Sequence, residues 1–521
     1  MLKLQGGIIL VKLFNDTFNI NEIIDSISTE VLLESEFTIA DMPDIERIIT
    51  AEGKAEVNNV SVSTDKIVVE GKLIYNIIYY SNDEDTTINS VTGEIPFREE
   101  IEAEGVTEEM EADSKAFIDF IDGEKSADRS YLVKAVLILD TDVYMNRPVT
   151  YVSYLESDGS MQAKTKNIFY TNTLSEISEE ISINDAVELS KGSGEIHEIL
   201  KSDADVYITN IDTLDEKMLV EGICKVGFLY TEDDKHTTGY VSEEFPFTHY
   251  LELNSSDDNI LKEISVKVNK MTYSPTENFD DEKKLIEFKL PFTINAYLYD
   301  TSERNVIMDC YSTDYELEVE SETINVSSLQ NIVNEVVKYE NNFDVLSGTI
   351  KDIYSVDVSP KISDKKISDD KYIIEGFLDV NLLYLNGDIN KVDKAFASLP
   401  FTVDFPLEEK TFTQIQSDVK ANRCNAYRKG SSSVNFNCDI NVSLKFKNND
   451  EVTIIKDIAE TEPIDRNKMS SLIFRVVQPG ETLWDIAKNY NLSINTLKEL
   501  NDIPEDNELT AGNKIIIARM V

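Results

Sequence analysis

The chain has 521 residues, and its 49 Lys and Arg side chains against 98 Asp and Glu give a formal net charge of −49. So acidic a surface repels DNA, RNA and anionic lipid, which argues against a nucleic-acid-binding protein and against direct insertion into a membrane. Hydrophobic residues make up 41% of the chain, which predicts a folded protein, and the length allows three or four domains. The charge either keeps a large protein soluble or helps to select a basic partner.

Cysteine usage and the N-terminal residues bear on the compartment. The four cysteines form no CxxC pair, and none lies near a histidine at metal-ligand spacing. So few cysteines predict no disulfide framework, which fits a reducing cytoplasm. The apolar run at residues 8–11 is short and is followed by Lys12, so we expect no signal peptide and no membrane span.

One pattern occurs three times in the first 460 residues. Its anchor is a Glu-Gly pair that recurs roughly every 150 residues, with an isoleucine 25 residues before the glutamate and a tyrosine nine residues after it. A Pro-Phe pair follows the glutamate by 25 or 26 residues. The copies are Ile45, Glu70-Gly71, Tyr79 and Pro96-Phe97; Ile196, Glu221-Gly222, Tyr230 and Pro246-Phe247; and Ile350, Glu375-Gly376, Tyr384 and Pro400-Phe401. Such spacing predicts one domain used three times, which is more typical of a scaffold than of an enzyme.

The residues after each Glu-Gly pair alternate between apolar and more polar side chains. This alternation predicts a strand with one buried face, which includes Cys224 as a packing residue. The acidic segments 81–87, 231–238 and 386–391 predict hairpin loops, and the Pro-Phe prolines suit edge strands. Further strand-like stretches close the repeats at 131–145, 285–299 and 434–447, so each repeat is predicted to be mainly β and sandwich-like.

Helical patterns in the repeats are weaker. The best candidate is residues 328–340, where Ile332, Val333, Val336 and Val337 lie at helical spacing. Short segments near the signature isoleucines are further helix candidates. The glutamates Glu70, Glu221 and Glu375 are titratable groups that recur in all three repeats. They either form a repeated site or have a structural role beside a required glycine, which is the interpretation we prefer.

A different domain follows the repeats. Residues 461–470 are polar and predict a linker, and the next 45 or so residues predict the order β-α-α-β. Thr482 with Asp485 forms a capping-box pattern at the first helix, Ser493 is placed to cap the second, and Asn501 is placed to end it. Ile515 and Ile517 then lie on one face of the last strand.

This segment resembles a LysM domain. The resemblance rests on Val477, Gly480, Thr482, Leu483, Trp484, Ile486, Ala487, Leu497, Asn501, Leu509, Gly512 and Ile517. It implies a groove for N-acetylglucosamine polymers between two loops, although some relatives use this surface to bind proteins. The implied binding surface comprises Pro479, Gly480, Glu481, Thr482, Leu483, Trp484, Asp502, Ile503, Pro504 and Glu505. Trp484 either contacts the ligand or packs the small core, and the acidic second loop is poorly suited to an anionic wall polymer.

Motifs of known catalytic chemistry are missing from the sequence. There is no P-loop, GxSxG, HExxH or EF-hand pattern, and the three histidines lie far apart. We therefore expect no catalytic residue, metal or cofactor. A paired-carboxylate site stays open as an alternative, because acidic residues are abundant throughout.

The three repeats resemble the SPOCS domain, and the whole arrangement resembles clostridial spore-coat morphogenetic proteins, functional counterparts of stage VI sporulation protein D. The implied fold class is mainly β, with three tandem β-sandwich-like SPOCS repeats (1–165, 166–322 and 323–460), a linker (461–470) and a LysM domain (471–521). The resemblance implies a non-enzymatic adaptor in the mother-cell cytoplasm, at the forespore surface and in the spore coat. Its implied partners are the coat ATPase, stage IV sporulation protein A, bound through the LysM domain, and other coat proteins bound through the repeats. The alternative is a module that anchors the chain to cortex or wall peptidoglycan.

Overall fold

The computed structural model describes residues 12–39, 42–82, 87–157, 159–214, 216–253, 260–407, 412–465, 472–504 and 509–518. Nearly all of these residues lie in antiparallel strands, as the sequence predicts. Within this described part, the helices are the two short ones of the C-terminal domain. Cys224, predicted to lie on a buried strand face, is fully buried.

The first repeat is a sandwich of two three-stranded sheets. Its strands are β1 (Lys12–Thr38), β2 (Ile45–Ser63), β3 (Lys66–Ser81), β4 (Ile88–Glu102), β5 (Glu111–Ala127) and β6 (Ser130–Glu156). One sheet has the order β2-β3-β4 and the other the order β1-β6-β5. The facing sides of the two sheets bury one continuous core, which includes Tyr75, Tyr79, Leu137 and Leu139. The alternation seen in the sequence therefore places one face of each strand in this core.

The second and third repeats have the same topology. The second comprises β7 (Met161–Glu188), β8 (Ile196–Leu214), β9 (Lys217–Glu232), β10 (Thr238–Glu252), β11 (Leu261–Val268), β12 (Thr272–Thr276) and β13 (Leu285–Ser312). The third comprises β14 (Tyr315–Asp344), β15 (Ile350–Ser368), β16 (Lys371–Asn386), β17 (Lys391–Pro406), β18 (Gln414–Arg428) and β19 (Ser433–Pro463). Strands β11 and β12 both pair with β13, so together they take the place of β5. The predicted sandwich fold is confirmed.

In each repeat the signature glycine lies directly opposite the signature phenylalanine. Gly71 pairs with Phe97, and the other two copies pair in the same way. A Cβ on Gly71 would lie 2.4 Å from Phe97 Cζ and 2.4 Å from Glu56 O, so only glycine admits the buried aromatic ring. The prolines of the Pro-Phe pairs lie in β4, β10 and β17, which are edge strands as predicted. The Glu-Gly and Pro-Phe pairs thus recur together because they form one packing contact.

The first and last strands of each repeat form a long ribbon. The ribbons pair β1 with β6, β7 with β13 and β14 with β19, and the domain boundaries expected at 165/166 and 322/323 fall inside β7 and β14. The start of the expected linker, residues 461–463, belongs to β19. Its residues 466–470 lie outside the described residues.

The helices expected in the repeats are absent from these segments, and those predictions were wrong. Residues 328–340 belong to β14, where they pair with β19. Val333 and Val337 pack toward the core of the third repeat, while Val336 is exposed. β-Branched side chains favour extended backbone, and the long ladder with β19 satisfies the main chain, which overrides the short helical spacing. The segments near Ile45, Ile196 and Ile350 likewise begin strands β2, β8 and β15.

Each ribbon bends at a β-bulge partway along its length and continues into a shared stem. The bulges lie between Ile23 and Asp25 in the first ribbon, between Leu298 and Tyr299 in the second, and between Leu329 and Asn331 in the third. An extra residue at such a point bends and twists the strand pair. Beyond the bulges the three ribbons pack together around Phe18, Ile20, Val149, Tyr151, Ile168, Tyr170, Val306, Ile324, Val326, Val452 and Ile454. All three repeats thus contribute to one stem core.

The other sheet of each repeat, which contains the signature glycine, faces the two neighbouring repeats; we call it the axial sheet. Its outer face joins a second shared core, which includes Ile49, Leu200 and Tyr354 at equivalent positions of the three repeats. Neighbouring repeats also meet in cyclic order. Lys54 Nζ donates to Val268 O (3.0 Å), Lys225 Nζ to Cys424 O (3.2 Å) and Lys361 Nζ to Asp119 Oδ1 (2.8 Å). Because the third contact returns to the first repeat, the repeats close into a ring.

Candidate binding surface of the C-terminal domain

The C-terminal domain has the predicted order β-α-α-β. It comprises β20 (Leu472–Val476), α1 (Leu483–Asn489), α2 (Ile494–Leu500) and β21 (Lys514–Ala518). Thr482 caps α1 in a reciprocal capping box with Asp485, and Ser493 caps α2. The hydrogen bonds from Thr482 also lower the pKa of Asp485. Ile515 and Ile517 lie on one face of β21, as predicted, and both are buried in the core of this domain.

The two loops implied by the family resemblance are set by local hydrogen bonds. Gly480 turns the first loop with a φ of 81°, and Asp502 turns the second with a φ of 52°. Asn501 fixes the second loop to the last strand, since its Nδ2 donates to Ile516 O over 2.7 Å. Glu481 is held by Arg475 and accepts from the Gln478 backbone N–H at 3.1 Å.

Most of the predicted surface residues are accessible. Pro479, Gly480, Thr482, Asp502 and Pro504 are exposed, whereas Glu481, Leu483 and Ile503 are half-buried. Glu505 lies outside the described residues. The first loop and the described part of the second thus present mostly polar and backbone groups, together with the edge of Ile503.

Trp484 differs from the other predicted surface residues because it is buried. Only 8% of Trp484 is exposed, and its ring packs edge-on against Tyr311 of the second ribbon, with ring centroids 5.0 Å apart. Its Nε1 donates to Asp309 Oδ2 over 2.7 Å. Trp484 therefore serves packing, but it packs against the stem as well as the core of its own domain.

Three further contacts hold the C-terminal domain on the tip of the second ribbon. Lys488 Nζ lies 2.6 Å from Asp309 Oδ1, and Tyr311 donates its hydroxyl to Leu492 O over 2.7 Å. Asn491 Nδ2 donates to Ser312 O over 3.1 Å. Asp309 thus accepts from both Trp484 and Lys488, which joins a charged contact to an aromatic one. The sequence does not predict this docking, since Asp309 and Tyr311 lie in another domain and belong to no motif.

The signature glutamates are half-buried and make local contacts. Glu70 accepts from Asn59 Nδ2 at 3.3 Å and also from Arg98, and these hydrogen bonds lower its pKa. Glu221 accepts from Asn210 Nδ2 at 3.0 Å, and Glu375 pairs with Lys366 at 2.8 Å. The structure does not bring the three glutamates together into one site; each contacts the neighbouring strand of its own repeat.

The described residues contain no group of three or more His, Cys, Asp or Glu side chains arranged to hold a metal ion. No helix among them is long and apolar enough to cross a membrane.

Comparison with known families identifies both kinds of domain. The family model described as SipL, SPOCS domain matches residues 44–125, 195–276 and 349–427, and the LysM domain model matches residues 476–518. The chain has the SipL architecture. No curated protein matches it.

The matched ranges explain which parts of each SPOCS repeat the signature covers. In the first repeat, residues 44–125 include the axial sheet and most of β5, while the ribbon of β1 and β6 lies outside the match. SPOCS and LysM are binding or structural domains, and their presence fits a protein associated with the spore coat.

Proposed function

We propose that this protein is a non-enzymatic adaptor of spore-coat assembly that docks through its LysM domain on the coat ATPase, stage IV sporulation protein A. The adaptor works in the mother-cell cytoplasm at the forespore surface, where it links the basal layer to further coat proteins. The observation that carries the proposal is the union of three SPOCS repeats with one LysM domain. The docking on Asp309 and Tyr311 supports it, because it holds the LysM domain on the stem while most of its loop residues stay exposed.

The closed ring of repeats determines how the protein would recruit further coat proteins. The repeats share one core at the axis and another in the stem, so they offer their outer surfaces as one body. Further coat proteins would then meet a single acidic platform, and multivalency would arise between adaptor copies on a polymeric ATPase layer.

We expect removal of residues 466–521 to abolish capture of this protein by the purified ATPase, since the LysM domain is the proposed docking module. In the full chain, Ile503→Asp should weaken capture by about tenfold or more, because it places a charge at the half-buried edge of the second loop. The measurement is a pull-down with immobilised ATPase at several protein concentrations. Leu346→Ser is the matched control, as Leu346 is 99% exposed in the third repeat.

Capture that survives the deletion would contradict docking through the LysM domain and would move the interface to the repeats.

The alternative function, attachment to peptidoglycan, keeps one specific observation in its favour: Gly480, Thr482 and Pro504 are exposed in both loops. The same variants should therefore also be incubated with insoluble peptidoglycan, and the fraction of protein in the pellet should be measured. The adaptor proposal would give way to a glycan-binding anchor if the original protein pelleted with peptidoglycan, if Ile503→Asp abolished this pelleting, and if the ATPase did not capture the protein.

A further inference from the structure

One lysine lies at the point where the three axial sheets meet. The side chain of Lys201 is only 4% exposed, and its Nζ lies 2.7 Å from Glu52 Oε2, 3.2 Å from Asp203 Oδ1 and 2.7 Å from Asp357 Oδ2. Each carboxylate comes from a different SPOCS repeat. Lys201 Nζ also donates to Ser355 Oγ over 3.2 Å. A single ammonium therefore contacts all three domains of the ring.

The groups around this lysine follow the threefold repetition of the sequence. The three carboxylates occupy one equivalent position, seven residues after the signature isoleucine of each repeat. Lys201 occupies a position five residues after that isoleucine, where the other repeats have Thr50 and Ser355. All three of these residues are buried. The carboxylate is thus present three times and the ammonium once.

A β-bulge aims each of these positions at the axis. In β8 the bulge lies between Ile199 and Lys201, and equivalent bulges precede Thr50 and Ser355. The extra residue of each bulge is Ile49, Leu200 or Tyr354, and all three pack in the shared axial core. Since a bulge re-aims the following side chain, the backbone of every repeat presents this position to the same point.

Charge at the axis is unbalanced in favour of the acids. Burial raises the pKa of Glu52 and raises that of Asp203 to about 8, despite the nearby ammonium. Burial would lower the pKa of Lys201, but the surrounding carboxylates outweigh it and raise the pKa well above its usual value. The other charged or titratable groups facing the cluster are Asp205, Lys225, Tyr240 and Lys394. Removal of the lysine charge would leave buried carboxylates without their shared counter-ion.

We propose that Lys201 is an axial lock, whose single ammonium holds one carboxylate from each repeat and so joins the three SPOCS domains into one cooperative unit. The lock needs one lysine at the axis, but the symmetry lets any of the three repeats supply it. This inference concerns the ring and does not depend on the identity of the LysM partner.

Transplanting the lysine tests the proposal. Lys201→Thr in the full chain is expected to lower Tm by roughly 5 °C and to make the ring open more readily to protease. The double variants Thr50→Lys with Lys201→Thr, and Lys201→Ser with Ser355→Lys, move the ammonium to the equivalent position of another repeat. Both are expected to recover most of the loss. Recovery by neither double variant would overturn the proposal, as would a Lys201→Thr protein as stable as the original.

A charge-free control separates the effect of the Lys201 charge from the effect of the volume that its side chain fills. Lys201→Met keeps most of the volume and loses the charge, so it should be as unstable as Lys201→Thr at pH 8. The ammonium of Lys201 lowers the pKa of Glu52 and Asp203, so in Lys201→Met both pKa values rise further. The acids of this variant are then neutral at low pH, and their unpaired charge destabilises the fold only as pH rises through the raised pKa values. The gap between Lys201→Met and the original protein should therefore narrow at pH 5. A Lys201→Met protein that matches the original at both pH values would show that packing alone holds the axis.

Discussion

Gly222→Ala is expected to destabilise the second SPOCS repeat by about 3 kcal/mol, as measured by urea unfolding followed by circular dichroism. A Cβ on this glycine would lie 2.4 Å from Phe247 Cζ and 2.6 Å from Tyr207 O. Neither neighbour can move easily, because Tyr207 O is backbone and Phe247 is only 7% exposed. The ring shares its axial core among the repeats, so the loss should lower the stability of the whole ring.

Gly192→Ala is the matched control for this substitution. A Cβ on Gly192 would meet nothing within 4 Å, so the same chemical change should cost little. Adding Phe247→Leu to Gly222→Ala should recover part of the lost stability, since it removes the phenyl group that the new methyl group would contact. Equal destabilisation by the two glycine variants would show that the contact with Phe247 does not set the cost.

The contact between Gly222 and Phe247 shows how much of the fold can be predicted from the sequence. The co-occurrence of Gly222 and Phe247 at a fixed spacing, three times over, predicts a domain and its strands. It does not reveal that the two residues are cross-strand neighbours, because spacing alone fixes neither the hairpin register nor the face. Within the LysM domain the sequence leads further, since capping by Thr482 and Ser493 is a local interaction that the motif itself specifies.

The stem and the ring could not be predicted in this way. Val333 and Val337 lie at a spacing that suits a helix, but the segment pairs as a strand with residues over a hundred positions away. Lys201 has no lysine counterpart in the other repeats, so a search for shared residues passes over it. Lys201 becomes apparent only when equivalent positions that carry different residues in the three repeats are compared, because the pseudo-symmetric axis has room for one ammonium among three acids.

The closed ring also bears on the proposed role of the repeats in coat assembly. Independent SPOCS domains on flexible linkers would bind separate partners, whereas a ring with a shared core presents them in a fixed relation. The second ribbon extends from this ring into the stem and carries the LysM domain at its tip. Loss of stability in the ring should therefore affect the position of the LysM loops, even though no repeat residue contributes to those loops.

Tyr311→Ala is expected to release the LysM domain from the stem, and Trp484 reports this release because it is the only tryptophan in the chain. Loss of the aromatic contact and of the hydrogen bond to Leu492 O should weaken docking by about 3 kcal/mol, roughly a hundredfold. Trp484 would then become exposed, so its fluorescence emission should move to longer wavelength and acrylamide should quench it more strongly.

Tyr427→Ala controls for the loss of a tyrosine, since Tyr427 is 56% exposed in the third repeat and should leave the emission of Trp484 unchanged. Asp309→Ala should act in the same direction as Tyr311→Ala, because Asp309 accepts from both Trp484 and Lys488. Emission unaltered in both variants would mean that the LysM core alone buries Trp484. A shift in both would establish that the stem holds the LysM domain. A parallel fall in ATPase capture would then show that the proposed adaptor function depends on docking of the LysM domain on the stem.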